Sequence, residues 1–180
     1  MVELGIVTGD IEDHVRYDMD KGLVHIYCGH GKGKTSAALG KAIQAASCGK
    51  TVMIIQFLKK RQSDEIGFIR RLEPEIKLFR FERSEQSFES LSEEERAEES
   101  MNIRNGMNFA RKVISTQGCD VLILDEVLGL VEAGITTKEE LKSLVELKDE
   151  EMDLILTGVN ESEELWGLAD EVTVMESKRP

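Results

Sequence analysis

The chain has 180 residues, 41% apolar and 32% charged, which is enough for one buried core and too little for two ordinary domains. Lys plus Arg number 23 against 35 Asp plus Glu, a formal charge of −12 that argues against general attraction to nucleic acid or anionic membrane and makes any phosphate site a local one. No apolar run reaches the roughly 18 to 20 residues of a membrane span, and Cys28, Cys48 and Cys119 have neither disulfide nor metal spacing, so a soluble, cytoplasmic protein without a zinc site is expected.

Residues 1–20 hold His14, Arg16, Tyr17 and six acids without a core stripe, and they read as an N-terminal arm lacking the basic-then-apolar order of a leader. The first strand is expected at 23–28, apolar and rich in β-branched side chains. It runs into Gly29-His30-Gly31-Lys32-Gly33-Lys34-Thr35-Ser36, and an alanine-rich helix is expected over 34–47. A loop that cradles a polyphosphate needs residues without Cβ so that several N–H groups converge, and it needs a following helix whose first turn presents unpaired donors and a positive dipole end. Lys34 supplies a mobile positive charge for phosphate oxygens, and the Thr35 hydroxyl can ligate Mg²⁺. The loop is a variant: Gly29 and Gly33 enclose three residues where the usual pattern has four, and Cys28 stands at the expected glycine position. His30 reads as a backbone-donating loop residue rather than a base, because no carboxylate stands by to orient it.

Further strands are expected at 51–57 and 76–81, with helical periodicity at 66–72 between them. Residues 82–100 carry eight glutamates against Arg83 and Arg96 and read as a solvated loop entering a helix at 93–116, a flap over a site being the alternative. The apolar strand at 121–124 ends in Asp125-Glu126. A helix at 137–147, a strand at 153–157, a helix at 161–169 with Trp166 over the core, and a weaker strand at 172–175 complete the chain. Cys28 and Cys48 read as small core fillers. The alternation, with strands apolar on both faces, predicts an α/β fold: a mainly parallel sheet of five to six strands with helices on both faces, of the phosphate-loop NTPase (RecA-like) kind, and residues 21–180 as a single nucleotide-binding domain. Strand C-terminal ends form the ligand crevice of such a sheet, which brings Asp125 and Glu126 beside the loop. Hard carboxylate oxygens near a triphosphate suit Mg²⁺. Adjacent residues at a strand end face opposite ways, so one acid ligates while the other orients water or substrate, and the sequence leaves open which.

The shortened loop, Gln56-Phe57-Leu58-Lys59, Leu124-Asp125-Glu126-Val127, Leu156-Thr157-Gly158 and Leu168-Ala169-Asp170-Glu171-Val172 follow in order over residues 21–175. Together they resemble the phosphate-loop corrinoid adenosyltransferases that act on cob(I)alamin or cob(I)yrinic acid a,c-diamide. The resemblance implies that ATP is co-substrate and a corrinoid the substrate: Co(I) attacks C5′ of the ribose and the whole triphosphate leaves. By that analogy residues 29–36 hold the phosphates, Lys34 neutralises the leaving group, Thr35 with Asp125 or Glu126 carries Mg²⁺, and Lys34 and Glu126 are the catalytic residues. Phe81 and Phe88 stand in the region where the family places an aromatic pair against the corrinoid. Val159 occupies the place of an arginine that often follows Thr-Gly in the family. The resemblance also suggests a homodimer and leaves room for a flavoprotein reductant. The competing readings are a phosphate-loop ATPase or small-molecule kinase, and a non-catalytic ATP-binding regulatory protein.

Overall fold

The computed structural model describes residues 21–58, 69–82, 84, 86–160 and 162–178. The expected arm, the first part of the 66–72 helix, Lys59 and Arg83 lie outside these residues. Among the described residues six strands and five α-helices follow in chain order: β1 (Val24–Cys28), α1 (Lys34–Ser47), β2 (Val52–Gln56), β3 (Ile76–Arg80), α2 (Glu93–Ser115), β4 (Val121–Asp125), α3 (Gly129–Glu132), α4 (Lys138–Val145), β5 (Asp153–Thr157), α5 (Glu163–Trp166) and β6 (Glu171–Val174). Single 3-10 turns occupy Arg70–Leu72 and Phe88–Ser90. All strand pairings are parallel, in the order β3-β2-β4-β5-β1-β6.

The strands are apolar at successive positions because each feeds two cores. Val52, Ile54, Ile76, Val121, Ile123 and Ile155 pack under Ala38 and Ala42 of α1. The intervening residues Ile55, Leu122, Leu124, Leu154 and Leu156 face the opposite way, toward Ile103, Ala110 and Ile114 of α2 and Leu141 and Leu144 of α4. The period of two splits each run between the faces, and helices cover both, which is the layered α/β arrangement the alternation predicts.

Helix starts follow local chemistry. In α2, Ser92 accepts from the Glu95 N–H while the Glu95 carboxylate accepts from Ser92, and Thr137 and Glu140 repeat this capping box at α4, satisfying donors that the first turn leaves open. Helix α5 is shorter than the expected 161–169 span and ends at Gly167. Downstream, the Asp170 carboxylate accepts the Val24 N–H at 2.8 Å, which ties the chain into β6. The four-residue α3 is too short to leave a periodicity. Cys28 is in the core as expected, whereas Cys48 is exposed. It is the residue that caps the C-terminus of α1, beyond the buried helical positions Ala38 and Ala42. Among the described residues no helix is long and apolar enough to cross a membrane.

Candidate nucleotide site

The strand β1 ends at Cys28, and the loop that follows turns through two left-handed glycines, Gly29 at φ 100° and Gly33 at φ 107°, a region closed to most side chains. Gly33 caps α1, whose first intrahelical bond runs from the Ala37 N–H to the Gly33 carbonyl at 2.8 Å. His30, Gly31, Lys32, Gly33, Lys34, Thr35 and Ser36 line a cleft of about 400 Å³, closed on one side by Glu126. Residues 30–36 of the motif thus form one concave surface at the N-terminus of α1, where backbone donors and the dipole favour an anion. Lys34 is buried. Its ammonium donates to the Gly29 carbonyl at 2.7 Å and to the Gly31 carbonyl at 2.8 Å, and of its three donors one remains for a phosphate oxygen.

The reverse side of the loop is occupied by the chain that follows β6. The Gly31 N–H donates to the Met175 carbonyl at 2.7 Å, and the Met175 N–H donates to the Cys28 carbonyl at 2.8 Å. A Cβ on Gly29 or Gly31 would lie 2.4 or 2.5 Å from the Met175 oxygen. These two glycines therefore answer a packing demand from behind the loop.

Asp125, the last residue of β4, is 1% exposed. Its Oδ1 accepts from the Thr157 hydroxyl at 2.7 Å and the Thr35 hydroxyl at 2.9 Å, and its Oδ2 from the Gln56 amide at 2.9 Å. Arg80 donates through Nε to Gln56 Oε1 at 2.8 Å. Glu126 is only half-buried and has φ 63°, an unusual conformation for a residue with a side chain and one that clusters at functional positions. Its N–H donates to the Thr157 hydroxyl at 2.9 Å. The two acids are thus separated: Asp125 sits inside against α1, and Glu126 faces the cleft. The adjacency of Thr35 and Asp125 fits Mg²⁺ by the chemistry of the donors, a hydroxyl and a buried carboxylate, both hard oxygens. Among the described residues no group of three or more His, Cys, Asp or Glu converges. A metal held here would draw its remaining ligands from phosphate and water, which is the usual habit of Mg²⁺.

A second cavity, of about 630 Å³, adjoins the first. Leu58, Phe88, Arg96, Glu126, Gly129 and Val159 are among the residues that line it, so Glu126 belongs to both. Phe88 stands on its 3-10 turn and also packs on the core under α2, so anchor and cavity wall are one side chain. Phe81 is placed differently: its ring meets that of Phe109 at a tilt, 5.9 Å between ring centres, and abuts Gly106. Trp166 covers the core from α5, its indole Nε1 buried and without a hydrogen-bond partner among the described residues.

Gln56 and Thr157 figure in the sequence only as parts of family-like motifs, Arg80 belongs to none of them, and none of the three carries an expected site role. Their signal was available in the strand ends: each is the last residue of an expected strand or one short of it, and each lies an even number of positions from α1-facing residues.

A family model for ATP:corrinoid adenosyltransferase BtuR/CobO/CobP matches residues 20–180. The corrinoid adenosyltransferase of Escherichia coli strain K12 is 26% identical over 154 residues, 86% of this chain and 76% of that protein. The uncharacterised protein all2391 of Nostoc sp. is 29% identical over 170 residues and 87% of this chain, which spans 44% of its length. Among solved structures, the KaiC-like protein PH0186 of Pyrococcus horikoshii has TM-score 0.57 at 18% identity, covering 88% of this chain and 75% of that one. That likeness is one of fold and agrees with a phosphate-loop NTPase-like sheet.

Proposed function

Because the chain belongs to the ATP:corrinoid adenosyltransferase BtuR/CobO/CobP family, we propose that it transfers the 5′-deoxyadenosyl group of ATP to the Co(I) centre of a corrinoid and releases triphosphate. The Co(I) electron pair forms the cobalt–carbon bond to C5′ as the C5′–O bond breaks, and the departing triphosphate keeps that bonding pair. The observation that carries this reading is the shared wall at Glu126: the phosphate-loop cleft and the Phe88 cavity meet there, as two large substrates that react with each other require.

The nucleophile is the substrate's own metal, so the protein's work is alignment and stabilisation of charge on the leaving group. The loop amides and the N-terminus of α1 bind the phosphates. The third donor of Lys34 takes a phosphate oxygen that gains charge as the bond breaks. Thr35 and Asp125 are the residues that would hold Mg²⁺, which when bound supplies neutralising charge to the triphosphate. Glu126, at the junction, orients the groups that meet there. Phe88 gives the corrinoid an apolar wall, whereas Phe81 packs against Phe109 and Gly106. A flavoprotein reductant, a homodimer and a cytoplasmic setting belong to the same reading.

The test is to incubate the chain with ATP, Mg²⁺ and chemically reduced cobalamin and to identify both products. Triphosphate together with a cobalt–carbon bond is expected. ADP with phosphate would replace the proposal by an ATPase or kinase, and ATP binding without turnover would replace it by a regulatory role.

A further inference from the structure

Gln56 and Arg80 lie outside the lining of the phosphate-loop cleft, yet two hydrogen bonds link them to Asp125, the buried carboxylate that accepts from Thr35 of that cleft. The strand register explains how. Arg80 is paired with Gln56 across β3 and β2, and Gln56 with Asp125 across β2 and β4. The last residues of three neighbouring strands therefore stand side by side on the α1 face, and Thr157 at the end of β5 continues the row to Asp125. We propose that Arg80 and Gln56 are positioning residues, a relay that locks the Asp125 carboxylate in the orientation needed for Mg–ATP; this rests on the ATP reading above.

The orientation of the amide is forced. A guanidinium nitrogen only donates and a carboxylate oxygen only accepts, so Gln56 must turn Oε1 to Arg80 and Nε2 to Asp125. An amide without that anchor can rotate its oxygen toward Asp125, which places two acceptors together and leaves a buried charge short of a donor. A guanidinium paired directly with Asp125 would engage both carboxylate oxygens in a bidentate fork and cancel its charge. The glutamine spacer instead spends one N–H on Oδ2 at 2.9 Å and leaves Oδ1 to the hydroxyls of Thr157 and Thr35. The carboxylate keeps its charge and loses its rotation, which is the contribution that partners behind a metal ligand make.

The experiment is calorimetric titration of ATP into the intact chain, with saturating Mg²⁺ and separately with a chelator, for wild type, Arg80→Met, Arg80→Lys and Gln56→Leu. Arg80→Met and Gln56→Leu should weaken Mg–ATP about tenfold or more and change metal-free ATP binding by no more than about twofold. Arg80→Lys, which keeps a cationic donor on a shorter stem, should fall between wild type and Arg80→Met and serves if the latter does not fold. Equal losses with and without Mg²⁺ would make the row merely structural, and wild-type curves throughout would remove it; either overturns the inference. A wild-type chain that binds no ATP would overturn the ATP reading and the relay with it, whereas a binding wild type with unmoved variants overturns the relay alone.

Discussion

Lys34 holds two loop carbonyls and keeps one donor for the ligand, so its removal acts on binding more than on folding. A hydrogen bond to a charged group contributes about 1.5 to 3 kcal/mol, and Lys34→Ala should lower ATP affinity at least about tenfold while the protein still folds. Calorimetry together with circular dichroism checks this, and unchanged affinity in a folded variant would remove the lysine from the site. Glu82 offers a different test. Burial, helped by the neighbouring Glu99 and opposed by Arg80, pushes its carboxyl from 4.5 up to about 7, and its Oε2 is buried without a hydrogen-bond partner among the described residues. The folded state therefore binds this proton more tightly than the unfolded chain, and stability from this group falls as pH rises from about 4.5 through about 7. Glu82→Gln should melt at a higher temperature than wild type at pH 8, with the difference narrowing as pH is lowered toward 4.5. A pH-independent difference between the two melting curves would show that this carboxyl does not titrate as described.

At the level of elements, α2 crosses the sheet with glycine at its closest approach. A Cβ on Gly106 would lie 2.6 Å from Phe81 Cγ and 2.8 Å from Phe57 Cε1, with Phe109 tilted against Phe79 one turn further along. Helix propensity alone would make Gly106→Ala stabilising by about 1 kcal/mol. Overpacking against two rings reverses the sign, and a loss of about 1 to 3 kcal/mol is expected from urea unfolding; a gain would mean that the rings move aside freely. The strands were legible because their apolar, β-branched runs are bounded by turns and charges, and even the weak run at 172–175 found its place as the edge strand β6. The phosphate loop and Asp125-Glu126 were legible because loop, helix start and strand end are local patterns. The row Arg80–Gln56–Asp125–Thr157 was not, because it arises from register across four strands, and nothing in the composition of any one strand announces its neighbour. The exposure of Cys48, the presence of α3 and the brevity of α5 were not legible for a related reason: exposure and helix length at these places are set by tertiary packing rather than by period.

Across the whole molecule, the C-terminal ends of β1, β2, β3, β4 and β5 bring the loop, Arg80 and Gln56, both acids and the Phe88 cavity to one edge of the sheet, in a chain whose net charge is −12. On the proposed reading an acidic protein would hold a triphosphate through attraction concentrated in Lys34 and a helix terminus, within a Debye length of about 8 Å at physiological salt. The segment after β6 adds a consequence that amide exchange can read. With its N–H committed to the Met175 carbonyl at 2.7 Å, Gly31 should exchange its proton slowly before any nucleotide is added, although it lies within a loop. Mg–ATP should then slow exchange at residues 34–36, on the cleft side, and add little at Gly31. The footprint of the ligand would thus stop short of the middle of its own binding motif. A Gly31 amide that exchanges quickly alone and becomes protected only with nucleotide would mean that the chain after β6 lets go of the loop, and that the same amide changes partner each time the enzyme loads.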